Sequence, residues 1–190
     1  MEAFLVSTAI VALGEMGDKT QLLALVLAAR LKRRVPIAFG ILAATLANHL
    51  LAGSLGAWLA SLVPPGALRI GVGLAFVGFG VWSLKPDTLD EDRPRTAGGA
   101  FLTTLVSFFL VEMGDKTQLA TIALAARFRS LVPVVCGTTL GMMVADVPAV
   151  WLGAALARRL NMSWLRYAAA TLFVLLGVLT LLAGPLGAAL

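Results

Sequence analysis

The octapeptide EMGDKTQL occurs twice, at residues 15–22 and 112–119, each time inside a long apolar stretch. Each copy holds two acids and a base: Glu15, Asp18 and Lys19 in the first, Glu112, Asp115 and Lys116 in the second. Carboxylates in such a setting can take up a cation or a proton, and structure alone gives little reason to keep them there. A charge near a bilayer centre costs roughly 2.5–3.5 kcal/mol or more on insertion scales. A buried ion pair seldom improves on packed apolar residues. On a continuous helix Glu15 and Asp18, at i and i+3, share a face, as do Glu112 and Asp115. If the two faces meet, four carboxylates surround one point.

The charge sum points to the ligand. Two carboxylates and one lysine leave each copy at −1 and the pair at −2, which a divalent cation neutralises and a monovalent one does not. Thr20, Thr117, Gln21 and Gln118 offer further oxygens or supporting hydrogen bonds. Carboxylate, amide and hydroxyl oxygens suit Ca²⁺, Mg²⁺ or Mn²⁺. Lys19 and Lys116 either hold the acids in place or occupy the site when it is empty. Gly17 and Gly114 permit close helix approach or a local break that exposes carbonyls. Met16 and Met113 carry thioethers that would favour Mn²⁺ over Ca²⁺. On an unbroken helix, however, Met16 points about 100° from Glu15, which predicts core packing.

Stepping outward along the chain, Asp146 is the one further acid within an apolar run, two residues before Pro148. Its counterpart in the repeat described below is His49, beside Asn48. Asp146 fits a proton relay or a flanking cation site, with Asn48 and His49 as weaker candidates for support. Ser7 and Thr104 either line a pathway or bond their own backbone.

The elements that must position these groups are membrane helices. Of 190 residues 59% are hydrophobic and 13% charged, with a mean hydropathy of +0.94; soluble domains carry about 25% charge. The net charge of +5 is spread in short clusters between apolar runs, a topology signal and not a nucleic-acid footprint. The single cysteine, Cys136, excludes an intrachain disulfide and is expected to be a small buried apolar residue. Glu2 stands where a signal peptide would be positive, so residues 1–14 are expected to be half of a retained helix.

Runs long enough to cross a bilayer fall at about 3–29, 37–63, 67–84, 100–126, 132–157 and 164–183. Pro36 and Pro133 fit first helical turns. A shift of 97 residues lays one half over the other: twelve of sixteen positions are identical between 15–30 and 112–127. Further along, Gly40 meets Gly137, Gly56 meets Gly153, Arg69 meets Arg166, Phe76 meets Phe173 and Gly80 meets Gly177. The expected fold is therefore all-α, six transmembrane helices in two three-helix repeats, 1–84 and 100–190, joined by a cytoplasmic linker at 85–99. Three is odd, so the repeats are inverted, an architecture of secondary transporters with a site near the midplane. Ten basic residues on the linker's side against three (Arg69, Arg127 and Arg129) on the other predict that both termini are outside. The linker acids Asp87, Asp90, Glu91 and Asp92 are expected to be solvated.

Two copies of E-x-G-D-[KR]-[TS] in such a frame resemble the GDT family of cation transporters, and the resemblance covers essentially the whole chain. It implies transport of Mn²⁺ and Ca²⁺ against protons, with Glu15, Asp18, Glu112 and Asp115 as the cation site. The short N-terminus is similar to that of bacterial members, which implies an inner-membrane protein exporting excess Mn²⁺. The sequence thus predicts alternating-access antiport of a divalent cation and protons. It predicts no bound cofactor and no nucleic-acid partner, and leaves a homo-oligomer open. Ca²⁺/H⁺ exchange and a non-transporting accessory subunit are the alternatives. An intramembrane aspartyl protease is disfavoured, since such enzymes need two aspartates sharing a proton without a lysine beside each.

Overall fold

Apolar runs bounded by prolines and basic segments fold into helices, and among the described residues every regular element is one. The computed structural model describes residues 1–85, 98–152 and 162–186. In chain order the helices are α1 (Glu2–Glu15), α2 (Lys19–Leu31), α3 (Arg34–Leu62), α4 (Pro65–Ser83), α5 (Ala100–Glu112), α6 (Lys116–Phe128), α7 (Leu131–Leu152) and α8 (Met162–Leu186). The linker acids Asp87, Asp90, Glu91 and Asp92 lie outside the described residues, as do Arg158 and Arg159.

Among the described residues four helices are long and apolar enough to cross a membrane: α3, α4, α7 and, within α8, Ser163–Ala183. The other four have 13 or 14 residues, about 20 Å at 1.5 Å per residue, against a hydrocarbon core of about 30 Å. The expectation of one continuous helix through each octapeptide is therefore corrected. Gly17 and Gly114 take φ of 85° and 81°, in the left-handed region that L-residues avoid. Met16, Asp18, Met113 and Asp115 are extended around them. A backbone so turned cannot carry the i→i−4 ladder, so each apolar run becomes two half-length helices meeting at the motif.

The packing pairs off between the halves. Helix α1 lies on α7 and α5 on α3; α2 meets α7 and α6 meets α3; α4 packs along α8. Absent side chains allow the close approaches. A Cβ at Gly40 would sit 2.7 Å from Thr104 Cβ and 2.8 Å from the Phe101 carbonyl oxygen; one at Gly137 would sit 2.5 Å from the Phe4 carbonyl oxygen and 3.0 Å from Ser7 Cβ. These are the same contacts displaced by 97 residues with the halves exchanged. The α4–α8 seam repeats the pattern, Gly80 lying against Ala170 and Val174, and Gly177 against Gly73 and Val77. At its centre the counterparts Phe76 and Phe173 stack, with ring centroids 6.3 Å apart.

Outward faces carry large apolar side chains, among them Phe39, Leu51, Trp58, Val81 and Trp164, a surface suited to lipid. Cys136 is on such a face: it is exposed, contrary to the expectation of burial. In a membrane helix apolar neighbours signal lipid as readily as core.

The close approaches predict a graded response. Gly40→Ala and Gly137→Ala each lower stability by about 1–3 kcal/mol through overpacking, seen as a reduced unfolding midpoint in detergent. Gly71→Ala and Gly78→Ala, where an added Cβ meets nothing within 4 Å, leave it unchanged.

Candidate functional site

Breaking a helix in an apolar setting frees backbone groups that need partners, and the motif supplies them. The Gly17 N–H donates to Gln21 Oε1 at 3.0 Å, and the Gly114 N–H to Gln118 Oε1 at 2.7 Å. The Asp18 and Asp115 N–H groups donate to the carbonyls of Glu15 and Glu112, at 3.0 and 3.1 Å. Of the two roles open to the glutamines, this geometry shows the hydrogen-bonding one. Gln21 also donates through Nε2 to the Ala145 carbonyl of α7 at 2.9 Å. Ala145 lies three residues before Pro148, whose missing N–H and ring loosen the α7 ladder.

The acids are held in a set order. Thr20 donates to Glu15 Oε2 at 2.6 Å and Thr117 to Glu112 Oε1 at 2.7 Å, with Asp115 Oδ2 3.3 Å from the Thr117 hydroxyl. Each lysine reaches the aspartate of the other copy: Lys19 Nζ lies 2.7 Å from Asp115 Oδ1, and Lys116 Nζ 3.0 Å from Asp18 Oδ1. The pairs differ in environment, Lys116 being 6% exposed and Lys19 23%. Spacing within one octapeptide left the lysines' role undecided; the crossing is visible only once both breaks face each other.

Carboxylate oxygens of Glu15, Glu112 and Asp115 lie within 4.8 Å of one another, all three residues buried. Asp18 is close by but turned to Lys116. Metal–oxygen bonds of about 2.0–2.6 Å let a single hard cation span oxygens so placed. Glu15 Oε1 and Glu112 Oε2 are buried without a hydrogen-bond partner, and buried polar atoms in that state are uncommon without a ligand to explain them.

Asp146, His49 and Asn48 are all fully buried. Asp146 interacts electrostatically with Glu15, Asp18 and Glu112, and both its oxygens lack hydrogen-bond partners. Both His49 ring nitrogens lack them too. Asn48 donates to the Phe109 carbonyl at 3.1 Å, which ties α3 to α5. Thr104 bonds its own helix at Ala100, whereas the Ser7 hydroxyl is buried without a partner. Met113 is 55% exposed and Met16 half-buried, so the core packing expected of both is corrected.

A family model described as "Divalent cation/proton antiporter GDT1" matches residues 3–91 and 100–187. A protein of Vibrio cholerae named "Putative manganese exporter" is 40% identical over 181 residues, spanning 95% of this chain and 90% of that one. "GDT1-like protein 5" of Arabidopsis thaliana is 28% identical over 221 residues, 96% of each chain. No solved structure matches.

The crossing pairs predict strong coupling. Asp18→Asn and Lys116→Met each remove one member of a buried ion pair and destabilise by roughly 3–5 kcal/mol. The double variant loses clearly less than the sum of the two in unfolding measurements in detergent. Strict additivity would show that the pair is not an energetic unit.

Proposed function

The chain belongs to the GDT1 family of divalent cation/proton antiporters, and from that premise we propose that this multi-pass membrane protein exports Mn²⁺ in exchange for protons at the crossed EMGDKTQL motifs. The observation that carries this reading is the buried trio of Glu15, Glu112 and Asp115, with an oxygen of each glutamate left without a hydrogen-bond partner. Asp18 completes the set of acids. Mn²⁺ is favoured over Ca²⁺ by the name of the Vibrio cholerae relative; in either case the ion is cargo.

In this reading α1 with α2 forms one crossing and α5 with α6 another, so that residues 1–84 and 100–190 are inverted three-crossing repeats joined by the 85–99 linker. The exchange of contacts between positions 97 apart supports a twofold relation between them. The excess of basic residues on the linker side supports a cytoplasmic linker and external termini in a bacterial inner membrane.

The charge arrangement suggests the stoichiometry. Lys19 and Lys116 neutralise Asp115 and Asp18, leaving −2 on Glu15 and Glu112. One Mn²⁺ satisfies that charge, and so do two protons. Thr20 and Thr117 each hold one oxygen of a glutamate and orient the other toward the ion. The repeats rock about the site, Mn²⁺ binds from the cytoplasmic side, and external protons displace it by occupying the same carboxylates. Asp146 is placed to pass protons to Glu15 and Glu112.

Reconstitution in liposomes tests this. An imposed pH gradient drives Mn²⁺ flux, Glu15→Gln and Glu112→Gln reduce it to background, and acidifying the side from which Mn²⁺ loads slows it. Clamping the membrane potential with K⁺ and valinomycin leaves the rate unchanged if two protons exchange for one ion; acceleration by an applied potential would refute that ratio. Ca²⁺ flux well above Mn²⁺ flux would reassign the cargo. Flux of neither ion from the pure protein would favour an accessory subunit.

A further inference from the structure

At one end of the bundle, where α4 begins and α6 and α8 end, three arginines surround a groove of about 340 Å³. They are Arg69, Arg127 and Arg129, and the wall between them is apolar, with Leu68, Val72 and Ala126. Among the described residues no ion pair involves any of the three; the two ion pairs present both belong to the motifs. Arg69 Nε and Arg127 Nη1 are shielded from solvent and make no hydrogen bond. The acid that acts electrostatically on Arg127 is Glu2, which is exposed and forms no ion pair with it.

Two bland roles for these side chains fit poorly. An arginine at a helix C-terminus can cap its carbonyls, but the shielded Nη1 of Arg127, in the last turn of α6, donates to nothing. Nor is the cluster a by-product of the repeat, although most close contacts in the molecule occur in exchanged pairs. The counterpart of the half-buried Arg127 is the exposed Arg30, and the counterpart of Arg69 is Arg166, which donates to Ser163 Oγ at 3.3 Å. Among the described residues, Arg69, Arg127 and Arg129 line one groove together.

We propose that this groove binds a phosphate group, presented by the headgroup of an anionic phospholipid. Guanidinium forks match phosphate oxygens in pairs, and Arg127 is fixed by its stacking over the Phe128 ring, 5.1 Å from the centroid. With no ion pair to any of the three among the described residues, the guanidinium groups are available to an anion. The apolar wall, which a small hydrated anion would leave unused, suits the glycerol and upper acyl chain beside a phosphodiester. The position at helix ends sets the groove at headgroup level. None of this depends on the transport reading, since the groove shares no residue with the motifs.

The test uses the full chain in micelles, with native mass spectrometry to count retained phosphatidylglycerol and phosphatidylcholine. Phosphatidylglycerol is expected to bind about tenfold more tightly. Arg69→Gln with Arg127→Gln removes that preference, while Arg30→Gln with Lys32→Gln at the opposite end preserves it. Arg69→Lys with Arg127→Lys, which keeps the charge and guards against misfolding of the glutamine variant, weakens binding but leaves a preference for the anionic lipid. In a parallel arm, inorganic phosphate is added without lipid and the unfolding midpoint recorded. A rise in the wild type lost in the glutamine variant would assign the same site to soluble phosphate. Equal retention of both lipids together with no response to phosphate, or a preference unchanged in the glutamine variant, would overturn the proposal.

Discussion

Everything at the centre of this molecule depends on two crossed ion pairs, Lys19 with Asp115 and Lys116 with Asp18. A lysine in the middle of an apolar segment cannot reach water without unwinding its helix, and an aspartate at the same depth is equally stranded. Within one octapeptide the two are adjacent in sequence and project differently, so neither copy neutralises itself. Only when the second copy is brought opposite does each lysine find its acid. The pairs therefore select the relative position of the two breaks, and in doing so fix where Glu15 and Glu112 come together.

That constraint explains why the breaks are built as they are. A continuous helix would place Glu15 and Asp18 on one face but would bury their backbone in its own ladder. The left-handed turns at Gly17 and Gly114 end one helix at the glutamate and start the next at the lysine. Positive helix N-termini then lie beside Asp18 and Asp115. The freed N–H groups fall to Gln21 and Gln118, and Thr20 and Thr117 tie off one oxygen of each glutamate. Nearly every polar residue of EMGDKTQL is thus occupied in holding the break, except one oxygen on each glutamate.

Much of this was legible in the sequence, for identifiable reasons. The doubled motif and the 97-residue offset are periodic signals that survive without any knowledge of packing. Buried acids in an apolar chain are costly enough to mark themselves, and the three most central of them do converge. The break was legible only as an option, because glycine permits a left-handed turn as well as a close helix approach, and the choice is made by tertiary context. The crossing of the lysines was not legible at all, since spacing within a segment carries no information about the segment it meets. Cys136 failed for a different reason: hydropathy does not distinguish a face toward lipid from a face toward protein, whereas Met113 failed with the unbroken helix it was read on.

The arginine groove sharpens what duplication can and cannot account for. Gly40 with Gly137, Gly80 with Gly177, and the two motifs all obey the exchange of halves, so one set of contacts specified twice suffices for the frame and the central cluster. Duplication does not require the two halves to match at every position. The departures from the repeat are therefore informative in their own right. Inside the bundle they are the buried His49 against the buried Asp146, a base where the other half has an acid. At the ends they are the converging guanidinium groups of Arg69 and Arg127 against the solvent-facing Arg30 and the serine-bound Arg166. Symmetry builds the central cluster, and the residues that break it distinguish one half from the other.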